Sequence, residues 1–105
     1  MSSVRIEQYA GAGRDERGDV QIPLLPLVAA AENVASGAAS AQSALFNPMC
    51  RLIYVKATGG AVAVTVGTDP VAETSDAALA EDEGRWFAID RTQAGKLRLA
   101  VIDLA

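Results

Sequence analysis

Residues 51–67 read RLIYVKATGGAVAVTVG, and this stretch decides the fold class. Ile53, Val55 and Ala57 alternate with Tyr54 and Lys56 before Gly59-Gly60, and Val62, Val64 and Val66 alternate with Ala63 and Thr65 after it. A period of two is the signature of a strand with one buried face. A Gly-Gly link supplies the positive φ values of a tight hairpin turn, so the two strands are expected to pair directly. In that register Thr58 faces Ala61, Ala57 faces Val62, Val55 faces Val64 and Ile53 faces Val66. Lys56 opposite Ala63 and Tyr54 opposite Thr65 then make the outer face. A one-residue slip would exchange the two faces, so turn and pattern support each other.

Further strands follow on the C-terminal side. RWFAID, residues 85–90, places Phe87 and Ile89 on one face and Trp86 on the other. KLRLAVIDL, residues 96–104, turns Leu97, Leu99 and Val101 inward and Lys96 and Arg98 outward; its apolar end suits a strand covered on both sides. Thr68-Asp69-Pro70, Asp82-Glu83-Gly84 and Thr92-Gln93-Ala94-Gly95 read as turns. Residues 71–83 form a polar connection anchored by Ala78-Leu79, with room for a short strand or one helical turn.

The chain divides near Asn47-Pro48, and the part before it is less regular. Alanine in residues 28–44 favours helix, but small Ser, Ala and Gly residues fit an extended chain equally, and the β-rich remainder tips the expectation to extended. Residues 40–46 are a further candidate strand, with Ala44 and Phe46 on one face and Leu45 on the other. In VQIPLLPL, residues 20–27, Pro23 and Pro26 remove ladder donors, which makes an extended or edge segment. Residues 1–19 read as an arm, with Val4-Arg5-Ile6 as a short strand and residues 11–19 as a loop. The Arg17-Gly18-Asp19 triplet within it reads as a solvated turn. Strands recurring every ~10 residues between turns predict an all-β fold, an antiparallel β-sandwich or jelly-roll-like domain over residues 20–105 with an extended N-terminal arm over residues 1–19.

Composition narrows the function classes. At 105 residues the chain is one domain. Half of its residues are apolar, but many are Ala and aromatics are few, so an oligomer interface would add useful burial. Nine basic and thirteen acidic residues give a net charge of −4 without a basic cluster, which argues against nucleic acid binding. There is no apolar run of about 18 residues to cross a membrane. Charges stand near the N-terminus where a signal peptide would be apolar, so synthesis in the cytoplasm is expected, with residence there until a partner is met. Cys50 is the only cysteine and histidine is absent, so no intrachain disulfide and no Cys/His zinc site can form within one chain. Cys50 itself reads as a small buried hydrophobe at a strand start.

The chain lacks the residue patterns of the common catalytic and binding motifs. Gly11-Ala12-Gly13 lacks the further glycine and the Lys-Ser/Thr of a phosphate loop. Without histidine there is no Ser-His-Asp or Cys-His pairing. Asp69, Asp76, Glu81, Asp82 and Glu83 lack the Asp/Asn-x-Asp alternation of a calcium loop and read as a solvated acidic loop. A glycosidase needs two carboxylates across a cleft, and few aromatics are present to build a sugar platform. No catalytic residue, cofactor or metal is expected. Aromatic residues are enriched at the centres of protein contacts, which makes Tyr54 and Trp86 candidates for a subunit interface; Leu24, Leu25 and Leu27 are candidates because their apolar side chains suit packing against the domain or a neighbour.

The layout from ALFNPMCRLIYVKATGGAVAVTVGTDPVAETSDAAL through EGRWFAID to GKLRLAVID carries a resemblance. Arg51-Leu52-Ile53-Tyr54-Val55, the Gly67-Thr68-Asp69-Pro70 turn, Trp86-Phe87-Ala88-Ile89 and Lys96-Leu97 follow one another as in small β-sandwich structural proteins of tailed bacteriophages and phage-like particles, which this segment resembles over a little more than half the chain. The resemblance implies a virion protein of the head-decoration, head-spike-base or head-fibre type, made in the bacterial host cytoplasm, often trimeric, attached to a capsid and without catalytic residues. The alternative is a carbohydrate-binding or adhesin-like module in which Tyr54, Trp86 and residues 76–83 approach a sugar.

Overall fold

The computed structural model describes residues 2–10, 12–14, 20–23, 27–90 and 92–104. These form ten strands: β1 (Ser3–Tyr9), β2 (Ala12–Arg14), β3 (Val20–Pro23), β4 (Glu32–Ala35), β5 (Ala41–Gln42), β6 (Leu52–Thr58), β7 (Val62–Gly67), β8 (Ala77–Leu79), β9 (Gly84–Ala88) and β10 (Arg98–Asp103), with one 3₁₀ turn at Ala94–Lys96. Sheet I has the order β4-β1-β6-β9, sheet II the order β5-β10-β7-β8, and β2 and β3 form a separate ribbon. All pairings are antiparallel. The protein is an all-β sandwich.

The strands on either side of Gly59-Gly60 do not pair. β6 lies in sheet I between β1 and β9, and β7 lies in sheet II between β10 and β8. The link is therefore an arch between sheets, and the expected register of Val55 with Val64 and Ile53 with Val66 is replaced by Val55 with Ile6 and Arg85, and Val64 with Val101 and Ala77. Two features explain the difference. A two-residue type I′ turn needs positive φ at both central residues, whereas of this pair only Gly59 has it, at 83°. Both edges of β6 are also occupied, which leaves β7 no ladder to join. Gly60 serves close approach instead, because a Cβ there would lie 2.5 Å from the Ser2 hydroxyl. The inward assignment survives the change of partner: Ile53, Val55, Ala57 and Val62 are fully buried, because the two strands face each other across the core rather than side by side; of the expected outer face Lys56 is exposed, but Ala63 is fully buried as well.

The pairings have one simple order. β7 pairs with β8, β6 with β9, β5 with β10 and β4 with β1. A long ribbon whose first limb is β4 to β7 and whose second begins β8, β9, β10 has been rolled so that successive rungs fall in alternate sheets, which is jelly-roll connectivity. The last place, beside β4, is filled from the other end of the sequence by β1. Ser2 and Leu104 accordingly lie at the same end: Ser36 donates to the Ser2 carbonyl at 3.0 Å, and Leu104 to the Ala61 carbonyl at 3.1 Å.

The expected arm is corrected for its first part. Ser3–Tyr9 is an inner strand of sheet I, with Val4 and Ile6 fully buried, because its Val4/Ile6 alternation extends the core face. Ala12–Arg14 pairs with Val20–Pro23; Arg17-Gly18-Asp19 lies outside the described residues. Residues 28–44 are extended, as expected, and contribute β4 and β5, but the candidate strand over 40–46 shrinks to Ala41–Gln42. Beyond it Phe46 is 2% exposed and Leu45 points to solvent.

The core joins Ile6, Ile53 and Val55 of sheet I to Val62, Leu79 and Leu99 of sheet II, with Phe46 closing one end. Each such side chain contributes about 1.5–3 kcal/mol by burial. Cys50 is fully buried and its thiol touches the Leu52 carbonyl at 3.6 Å. Burial raises its pKa, so it is held as the neutral, unreactive thiol.

Candidate interaction surfaces

The outward face of sheet I carries the candidate contact residues. Alternation sends Arg5, Glu7 and Tyr9 of β1 outward, and the register sets Glu7 beside Tyr54 and Tyr54 beside Trp86. Tyr54 and Trp86, singled out in the sequence, are therefore neighbours on one face, with ring centroids 4.7 Å apart and planes tilted by 50°. Tyr9 completes the cluster at 5.4 Å from Trp86. Such tilted pairs contribute about 0.5–1.5 kcal/mol beyond burial. Trp86 remains 43% exposed, whereas Tyr9 is 7% exposed.

Tyr9 is the member that sequence reasoning missed, because it was assigned to the arm. The signal was present in SVRIEQY, where Val4 and Ile6 alternate with Arg5, Glu7 and Tyr9. Leu27 is partly buried and is not part of the cluster; the next residue, Val28, donates to the Gln8 carbonyl at 3.1 Å. Leu24 and Leu25 lie outside the described residues.

Polar groups fix the cluster. The Glu7 carboxylate accepts from Arg5 Nε at 3.1 Å and from the Tyr9 hydroxyl at 2.8 Å. Loss of solvent, then the Glu7 carboxylate, raise the Tyr9 pKa, so the hydroxyl stays protonated and donating. Tyr54 leans along its strand until its hydroxyl covers Gly84, where an added Cβ would overlap it. Glycine at 84 is thus required by the ring packed on it.

A second feature lies between the sheets, where β8 and β9 are the terminal strands of sheet II and sheet I. A groove of about 400 Å³ opens there, walled by Val64, Val66, Phe87, Ile89 and Leu97. The charged residues described on its lining are Asp76 and Asp90. Asp90 accepts from the backbone N–H and the hydroxyl of Thr92, at 2.9 and 2.8 Å, and these bonds lower its pKa.

The remaining acids shape turns. Glu83 accepts from Ala80 N–H at 2.8 Å and pairs with Arg85 at 3.0 Å, and these contacts lower its pKa. Asp82 has φ 65° and donates its N–H to the Ala57 carbonyl, while Ala57 donates to Glu83; two residues oppose one, as in a β-bulge. Asp76 accepts from Glu73 N–H at 2.8 Å. Among the described residues no three His, Cys, Asp or Glu side chains gather as metal ligands, and no helix is long and apolar enough to cross a membrane. Comparison with protein families, with curated proteins and with solved structures finds no match.

Proposed function

We propose that this chain is a structural protein of a phage or phage-like particle, a decoration or spike- or fibre-base protein that acts by assembly rather than catalysis. The observation that carries the assembly reading is the Tyr9–Tyr54–Trp86 platform, in which an exposed Trp86 ring is packed against Tyr9 and Tyr54 on the outer face of a sheet. Rigid aromatics lose little entropy on contact and suit the centre of an interface. Jelly-roll connectivity is shared with capsid domains and with lectins, so it supports this reading and the runner-up alike. The particle assignment rests on the sequence resemblance over residues 44–102.

In this reading the chain is a homo-oligomer, with a trimer favoured, joined to a capsid or other virion protein and carried on the virion. Light scattering at micromolar concentration is expected to give a trimer mass that Trp86→Ala lowers; a monomer for the unaltered chain would overturn self-assembly. Finding the protein in purified particles by mass spectrometry would support the location, and its absence from intact particles would remove it. The platform also suits stacking against a sugar ring; glycan-array binding abolished by Trp86→Ala would favour the carbohydrate-binding alternative.

A further inference from the structure

We infer that the edge of β9, which no other described strand covers, is a docking site for an extended peptide segment of another protein, one carrying a basic residue two places before an apolar side chain. Three observations converge on it, and none depends on the particle reading above. The first is the ladder. Glu83 accepts from Ala57 and Ile89 donates to Arg51, so the odd-numbered residues of β9 turn their backbone groups toward β6. Antiparallel pairing alternates, so Gly84, Trp86 and Ala88 turn their N–H and C=O groups away from β6, off the end of sheet I. A strand laid there would continue the sheet by main-chain hydrogen bonds.

The second is the groove. It lies on the inner side of the same edge, beneath Phe87 and Ile89, and it is closed on the other side by Val64, Val66 and Leu97. An added strand running antiparallel would aim the residue opposite Phe87 into it. The third is charge. Asp76 and Asp90 stand on the lining, and Asp90 is beyond the end of β9 where the incoming strand begins. A basic residue two places before the apolar one reaches that carboxylate.

A second copy of β9 is a poorer occupant. Self-pairing centred on Trp86 would set Arg85 opposite the partner's Phe87 and diagonal to the partner's Arg85 on the inner face. The Arg85 side chain, paired with Glu83 at 3.0 Å, would then stand where the apolar groove takes an apolar residue.

The test uses the whole chain and the peptide acetyl-Lys-Thr-Leu-Thr-Val-Thr-amide. Two comparators are needed: one with Glu in place of Lys, and one N-methylated at the Thr that follows Leu. Titration is followed by amide chemical shifts and hydrogen exchange. Binding is expected to slow exchange at Trp86 and Ala88 and to shift Val66 and Leu97. The Glu peptide is expected to bind at least about threefold more weakly, the size of an exposed ion pair, and Asp90→Asn should reduce that preference. The N-methylated peptide should lose binding. Equal binding of the N-methylated peptide, no binding at millimolar concentration, or edge amides already protected without peptide would each overturn the proposal.

Discussion

Glu32 and Ala44 fasten one edge of the sandwich, whereas among the described residues no side-chain hydrogen bond runs from β8 to β9 across the other. On the fastened side Ala44 donates to Glu32 at 3.0 Å, Ser36 bonds to Asp103, and Asp103 donates to Gly37 at 2.9 Å. Ser43 exchanges bonds with Leu99 in both directions, at 2.8 and 3.0 Å. On the open side the apolar groove takes the place of such ties. Both edges belong to the same rolled ribbon, so the contrast arises from side chains rather than topology. The ties on the first side hold β4 and the segment after β5 together, whereas the other side leaves an apolar floor beneath the edge of β9.

The largest expected effect separates floor from wall. Leu99 is fully buried at the junction of core and groove, and Leu99→Ala should cost about 2–5 kcal/mol in urea unfolding. Leu97→Ala, on the partly buried wall, should cost clearly less; equal losses would mean that the groove is as closed as the core. Next comes the stitched edge. Ser43→Ala leaves the buried Leu99 N–H without its side-chain acceptor and should cost about 1–3 kcal/mol. Gly84→Ala should displace Tyr54 and lower stability by about 1–3 kcal/mol, with loss of near-ultraviolet circular dichroism from the Tyr54–Trp86 pair; an unchanged spectrum would contradict the packing of Tyr54 on Gly84.

The smallest effect is in pH. Glu83 and Asp90 flank β9, and both have folded pKa values below their ordinary ones, through bonds from Ala80 and Arg85 and from Thr92. A depressed carboxyl pKa contributes stability above the unfolded value and loses it as pH falls through the folded value. The thermal midpoint should therefore hold from pH 7 to about 5 and fall below about 4, with a shallower acid limb in Asp90→Asn. An acid limb unchanged by Asp90→Asn would show that the Asp90–Thr92 bonds contribute nothing.

Alternation made the buried faces legible: Ile53, Val55, Val62, Val64, Leu99 and Val101 are inward as their spacing requires. The same alternation was silent about neighbours. It is satisfied equally by a hairpin and by an arch, and Gly59-Gly60 permits both, so the direct pairing of residues 51–67 was the wrong choice between two patterns with one signature. What decides it is non-local: β1 and β9, more than 25 residues away on either side of β6, take both of its ladders. That also explains why Tyr9 and the joining of Tyr54 to Trp86 were not read from the sequence. The outer face was legible as a set of residues per strand, but the register that assembles them across β1, β6 and β9 is long-range.

Residue-resolved amide exchange along β9 tests the open edge most directly. Arg85 and Phe87, which face β6, are expected to exchange slowly. Trp86 and Ala88 are expected to exchange near the rate of unprotected amides, and Ser43 and Leu99, bonded to each other within sheet II, to be protected. Slow exchange at all four β9 positions in the isolated protein would contradict the open edge, because it would mean that something already covers it.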